Sequence, residues 1–215
     1  MKNIGLIGCG NIAETYFRAQ EYFNNINFVA CADINLDAAK KTAEQYNIIP
    51  LSVDEILTDK NVDIILNLTI PQAHYEISKR ALESNKHVYC EKPMSVKFDE
   101  AKELLNIAKK NSLYIGNAPD TFLGGGGQLT RNLIDNDDIG QILTGNFIFA
   151  FPGVQDFHPS PESWFQEGGG PVIDMGPYFF TTLVNLLGPV KNIRGRGAKF
   201  SEKREYKAGP KKGET

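Results

Sequence analysis

Two kinds of apolar spacing take turns along the first half of the chain. Short, nearly continuous apolar runs predict strands at Asn3–Ile7, Phe28–Ala32, Asp63–Thr69, His87–Cys90 and Leu113–Gly116. Between them, apolar positions at helical spacing predict helices near Ile12–Phe23, Leu36–Tyr46, Val53–Leu57, Ala73–Ser84 and Phe98–Lys110. Strands that alternate with helices build βαβ units and therefore a parallel sheet. Ile64–Leu68 is almost wholly apolar, as expected of a strand covered by helices on both faces.

The pattern changes near Asn117. Gly124–Gly127 is a run of glycines that reads as a hinge or linker. A helical stretch follows at Gln128–Ile134, then an alternating segment at Leu143–Phe151 and a loop rich in Pro and Gly. Asp174–Leu187 reads as one helix, and Val190–Phe200 as a strand. The tail, Ser201–Thr215, carries five basic and three acidic residues with almost nothing apolar. The expected fold class is α/β. A doubly wound parallel sheet over residues 1–120 precedes an incomplete α+β domain over 121–215, whose sheet is mainly antiparallel. About 95 residues is a thin allowance for a domain that must cover a site.

Composition narrows the function. The 215 residues carry a net charge of -3, with 41% hydrophobic and 23% charged residues and no basic stripe, so a nucleic-acid partner is not expected. No apolar run is long enough to cross a membrane; the best candidate, Val62–Ile70, is broken by Asp63 and Asn67. The N-terminal apolar stretch ends at Gly8-Cys9-Gly10-Asn11 before an export signal could form, and a cytoplasmic location is expected. Cys9, Cys31 and Cys90 have neither disulfide nor zinc spacing and read as buried, inert thiols. The three histidines lack ligand spacing, so no metal is expected.

The chemistry begins at Gly8-Cys9-Gly10-Asn11-Ile12-Ala13, a G-x-G-x-x-A run placed after a strand and before a helix. Gly8 permits the tight turn, Gly10 lets the backbone approach a pyrophosphate, and Ala13 allows close helix–strand packing. The helix start at Asn11 and Ile12 offers N–H groups and a positive dipole end to the phosphates. Asp33 lies 20 residues beyond Ala13, at the end of the second expected strand, where an acid bonds the adenosine ribose. A carboxylate there repels a 2′-phosphate, and Ile34, Asn35 and Leu36 supply no arginine to offset it. The expected cofactor is NAD rather than NADP.

The strand at His87–Cys90 runs into Glu91-Lys92-Pro93, where Lys92 would stand at the ligand-binding edge of the sheet. With Gly8–Ala13, Asp33, the Thr69-Ile70-Pro71-x-x-His74 stretch and Gly168–Tyr178, this triplet resembles the glucose-fructose oxidoreductase, inositol dehydrogenase and rhizopine-catabolism (Gfo/Idh/MocA) family. The resemblance implies hydride transfer between NAD and a carbinol of a sugar, cyclitol or related polyol. It places Thr69, Pro71, His74, Glu91 and Lys92 beside the cofactor, with His74 read either as a contact on the nicotinamide side or as a structural histidine at a helix start. In that family the lysine matching Lys92 bonds the reacting oxygen, and a cation there favours the alkoxide that develops as hydride leaves.

Asp174 and Tyr178 complete the implied catalytic set with Lys92. They are four apart at the start of the expected helix and so share a face, with Pro177 tolerated in a first turn. Many family members carry histidine where this chain has Tyr178, which leaves the proton donor open between Tyr178 and Lys92. His158 and Trp164, in the loop before the glycines, are candidates to line a sugar pocket. Family members continue past the point matching Thr215 with strands that form the pocket wall and an oligomer interface. The implied partner is thus a second copy of the chain, paired through the C-terminal sheet. The alternative reading is an NAD(H)-binding protein without turnover because that domain is cut short.

Overall fold

A computed structural model describes residues 1–150, 152–158, 161–198 and 201–215. The chain divides into two units, Met1–Ala118 and Pro119–Thr215. In the first, strands form at β1 (Lys2–Ile7), β2 (Ile26–Ala32), β3 (Ile49–Leu51), β4 (Ile64–Asn67), β5 (His87–Cys90) and β6 (Ile115–Asn117). All are parallel, in the order β3-β2-β1-β4-β5-β6. Five of them coincide with the apolar runs. β3 escapes the pattern because it is short and has Pro50 at its centre, which an edge strand tolerates.

The helices are α1 (Ala13–Ala19), α2 (Leu36–Tyr46), α3 (Val53–Thr58), α4 (Pro71–Glu83) and α5 (Phe98–Lys110). Their boundaries follow local chemistry. Asn35 Oδ1 accepts from the amides of Asp37 and Ala38 to start α2, and Ser52 and Glu55 form a capping box on α3. α1 stops at Ala19, short of the expected Phe23, because Tyr22 and Phe23 are exposed and no apolar face continues.

Alternation along β1 sends Ile4 and Leu6 to one face of the sheet and Ile7 to the other. Ala13, Phe17 and Ala43 cover the first face, and Phe17 stacks on Tyr46 with ring centroids 3.9 Å apart. Ile56, Leu57, Ala81, Leu82 and Leu104 cover the second. A Cβ on Gly5 would stand 2.9 Å from Ile56 Cγ1 and 3.0 Å from Val62 Cγ1, so glycine lets α3 settle on the sheet. The register sets Leu51, Ala32, Ile7, Asn67, Cys90 and Asn117 side by side across all six strands.

The second unit contains α6 (Gly125–Asp135), α7 (Pro171–Asp174) and α8 (Gly176–Leu187), with 3₁₀ turns at Thr121–Leu123, Val154–Asp156 and Pro161–Phe165. The glycine run is not a hinge. Gly124 is the N-cap of α6 and Gly125 to Gly127 form its first turn. A Cβ on Gly127 would fall 2.1 Å from the Phe122 carbonyl oxygen, so glycine there serves close packing. Arg131 reaches from α6 to the main-chain oxygens of Asn185 (2.9 Å) and Leu186 (2.8 Å), placing a cation on the C-terminal end of α8.

Among the described residues of this unit no strand forms, and the expected antiparallel sheet is not seen there. Residues 143–150 and 190–198 run as irregular chain; Phe151, Lys199 and Phe200, the ends of the two expected strands, lie outside the described residues. Alternation makes a strand only when a neighbour takes up its N–H and C=O groups. The tail instead anchors on the turn at Val154–Asp156, where the amides of Lys207 and Ala208 donate to Gln155 O at 2.8 and 3.2 Å. Among the described residues no helix is long and apolar enough to cross a membrane.

Candidate functional site

Because the strands end level, the loops that follow β1, β2, β4 and β5 leave from one edge of the sheet. Those loops carry Gly8–Ala13, Asp33, Thr69–His74 and Glu91–Pro93. Open parallel sheets bind their ligands at that edge.

Gly8 has φ +103°, and a Cβ on it would lie 2.6 Å from the Leu68 carbonyl carbon, so no other residue fits. Its amide donates to Ala32 O at 2.9 Å. Gly10 differs: nothing lies within 4 Å of the position its Cβ would take. Among the described residues, the amides of Gly10, Asn11 and Ile12 donate to no acceptor in the chain. An open glycine face and uncommitted amides at a helix start fit the pyrophosphate of a dinucleotide. Asp33, directly after β2, holds this turn. Its Oδ2 accepts from the Cys9 amide at 2.7 Å and its Oδ1 from the Asn35 amide at 2.8 Å.

The thiols divide. Cys31 and Cys90 are buried, and burial pushes Cys90 up to about 12. Cys9 departs from the expectation of an inert thiol. It is half-buried in the glycine turn, and a hydrogen bond with Cys31 draws its pKa below the usual thiol range while raising that of Cys31.

The Glu-Lys-Pro turn is fixed from several directions. The Glu91 amide donates to Asn67 O at 2.9 Å, and Asn117 Nδ2 donates to Cys90 O and Glu91 O at 2.9 and 3.0 Å. Glu91 Oε2 accepts from the Lys92 amide at 2.9 Å, and Oε1 from the Tyr16 hydroxyl at 2.7 Å. Asn67, wholly buried, uses its full capacity: Nδ2 donates to His74 O and Ser78 Oγ, both at 3.0 Å, and Oδ1 accepts from Thr69 N and Thr69 Oγ1. Tyr16, Asn67 and Asn117 are absent from the sequence-derived site. The signal for Asn67 was present, since a lone amide in an otherwise apolar buried strand must find partners.

His74 has the contacts of a structural histidine. It is buried, with Nδ1 at 2.6 Å from Pro93 O and Nε2 at 2.9 Å from Thr69 O, so both ring nitrogens face main-chain carbonyls. It clamps the turn after β4 to the turn after β5. Burial lowers its pKa, against the pull of the two carbonyls and of Glu91. Thr69 likewise gives its amide and hydroxyl hydrogens to Asn67, and Pro71 is the first residue of α4.

Lys92 belongs to the first unit, whereas Asp174, Tyr178, His158 and Trp164 belong to the second. The single helix expected over Asp174–Leu187 is broken. Asp174 ends α7 and Tyr178 stands in the first turn of α8, with only Met175 between the two helices. Pro177 is the cause, because it has no N–H to give Ile173 and the chain must restart its helical ladder. Asp174 and Tyr178 are both half-buried. Trp164, half-buried, lies in a 3₁₀ turn whose backbone approaches Gly170, and His158 follows the turn at Val154–Asp156. Among the described residues no group of His, Cys, Asp and Glu is placed to hold a metal ion.

A family model for an oxidoreductase family with an NAD-binding Rossmann fold matches residues 2–117, and a GFO/IDH/MocA C-terminal domain model matches 128–211. The chain belongs to the Gfo/Idh/MocA family. As a member it is similar to the myo-inositol 2-dehydrogenase of Thermotoga maritima, 23% identical over 96% of this chain and 61% of that protein. Its fold matches the WlbA dehydrogenase of Bordetella pertussis, solved with NADH and UDP-GlcNAcA (TM-score 0.78, 21% identity, 87% of this chain and 56% of that one). It also matches a 3-ketoreductase of Actinomadura kijaniata solved with NADP and TDP-benzene (TM-score 0.71, 25% identity, 87% and 57%). The chain spans about half the length of the curated relatives it matches.

Proposed function

We propose that this Gfo/Idh/MocA chain is an NAD-dependent oxidoreductase that moves a hydride between the nicotinamide and a carbinol of a sugar, cyclitol or related polyol. Residues 1–120 hold the cofactor and residues 121–215 contribute to the substrate side. One observation carries the reading: the level strand ends deliver the glycine turn, Asp33 and Glu91–Pro93 to one edge of the sheet.

The preference for NAD is argued from Asp33, since two of the solved structures it resembles hold different cofactors. Two amides hold its carboxylate in place, and a fixed negative charge disfavours a second one at the ribose 2′ position. Bound nicotinamide supplies the hydride acceptor or donor. Lys92 holds the reacting oxygen with its ammonium and favours alkoxide character there as the C–H bond breaks. The hydroxyl proton leaves either to the free amine of Lys92, which then becomes the ammonium beside the developing alkoxide, or to the phenolate of Tyr178 while Lys92 stays an ammonium. Tyr178→Phe separates the two. Asp174 is the remaining polar member of the substrate side, with His158 and Trp164 lining the pocket.

Turnover of a polyol and sugar panel with NAD, together with NADH titration, tests this reading. Lys92→Ala should lower turnover by about 100-fold or more and leave NADH binding nearly unchanged. A chain that fails to bind NADH, or a Lys92→Ala variant with full activity, overturns it.

A further inference from the structure

The main chain of the Glu-Lys-Pro turn is held by Asn67 O, Asn117 Nδ2 and the His74 ring. The Glu91 carboxylate adds a tie of another kind, its two oxygens divided between different tasks. Oε2 takes the amide of Lys92, the residue next in the chain, at 2.9 Å. Oε1 takes the hydroxyl of Tyr16 at 2.7 Å, from a residue 75 positions away on α1. A carboxylate that bonds its neighbour's amide through a flexible side chain fixes that amide only if its own orientation is fixed. Tyr16 supplies the fixing contact, and its ring is in turn steadied edge-on against Tyr89, with centroids 6.4 Å apart.

We infer that Tyr16 is a positioning residue for the reaction, holding Glu91 so that the main chain at Lys92, and hence its ammonium, stands in the productive place. The inference rests on the reading of Lys92 as the group at the reacting oxygen. The place of Tyr16 in the chain adds to its meaning. It sits one turn into α1, the helix that follows the glycine turn, so that helix joins the two turns. Neither the Gly8–Ala13 run nor the Glu-Lys-Pro triplet contains this link.

The test uses Tyr16→Phe, which keeps the ring and removes only the hydroxyl, in the full chain. Three readouts decide it. The kcat should fall about 10-fold with KM for NADH nearly unchanged, because the hydroxyl acts on the lysine and not on the phosphates. In a Glu91→Ala background the same change should lower kcat by less than about 2-fold, since Tyr16 acts through Glu91. Amide hydrogen exchange at Lys92 should quicken about 10-fold, while the Glu91 amide, bonded to Asn67 O, stays protected. Equal losses in both backgrounds, or an unchanged kcat, overturn the inference. If the unmodified chain turns over no polyol, the functional reading itself falls, and exchange then judges the Tyr16 link alone. Faster exchange at Lys92 supports the link, and unchanged exchange overturns it.

Discussion

Asn67 Nδ2 donates to the main-chain oxygen of His74 at 3.0 Å, and both side chains then close on the turn between them. Asn67 receives Thr69 through its Oδ1, while His74 faces the Thr69 carbonyl through Nε2 and Pro93 through Nδ1. A buried amide and a buried imidazole therefore shape two loops of the site through bonds within the chain.

Replacing Asn67 tests how much that support contributes. Asn67→Leu is close in size but leaves the Thr69 amide and hydroxyl, Ser78 Oγ and His74 O without their partner. A loss of roughly 3 kcal/mol of unfolding free energy is expected. Urea denaturation monitored by circular dichroism measures it. An unchanged midpoint would mean that water or a side-chain shift replaces all four bonds.

Asp33 holds two amides and is proposed to select the cofactor, and two variants divide these tasks. Asp33→Asn removes the charge but keeps one oxygen for an amide, so the turn should hold while the gap between NADH and NADPH affinity narrows. Asp33→Ala frees the Cys9 and Asn35 amides as well, so NADH binding itself should weaken by about 10-fold or more. Isothermal titration reads both effects. Equal affinities for the two cofactors in the unmodified chain would refute the preference.

His74 should make the first unit sensitive to acid. Its folded-state pKa is below the ordinary histidine value, so the unfolded chain binds a proton that the folded chain resists. This stability is fully present above about pH 6.5 and is lost as the pH falls from there through the folded-state pKa. Denaturation midpoints of the native chain and of His74→Gln, compared between pH 7.5 and pH 5 as about the useful window, should differ in slope, with the variant flatter. Parallel curves would show that other groups set the acid response.

Cys9 is the thiol to modify first. Its lowered pKa and partial exposure contrast with the buried, raised thiols of Cys31 and Cys90. Brief treatment with iodoacetamide at neutral pH, followed by peptide mass spectrometry, should find the label on Cys9. NADH should slow the labelling, since Cys9 lies inside the glycine turn. Equal labelling of Cys90 would contradict the burial described for it.

The sheet and its loops are legible in the sequence because buried parallel strands and amphipathic helices leave distinct periodicities. The glycine turn, Asp33 and Glu91–Pro93 can likewise be read as short local patterns. Their support cannot be read in this way. Tyr16 and Glu91 meet across 75 residues, and Asn117 and Cys90 across 27, so no local pattern announces either contact. His74 was visible as a residue but not as a clamp, because its role depends on Pro93 O reaching it from another loop. In the second unit the helical spacing of Asp174–Leu187 is real, but it hides the break that the missing N–H of Pro177 imposes. The glycine run misleads for the opposite reason, since glycine that allows close packing looks the same in sequence as glycine that allows motion.

The row from Leu51 through Ala32, Ile7, Asn67 and Cys90 to Asn117 gives every loop at that edge a common baseline. A strand cannot slip by one residue without turning its side chains to the wrong face, so the baseline itself tolerates little change. The segments above it are free of that constraint wherever they are not bonded to one another. Loop exchange with relatives should therefore succeed in two blocks, provided that Gly8 and Tyr16, which meet the second block at Leu68 and Glu91, are kept. The turn after β1 and the Asp33 loop would move together, because Cys9 and Asp33 join them. The turns after β4 and β5 would move together, because His74 and Asn67 join those. Swapping either half of a block alone would bring in a loop without the neighbour that holds it.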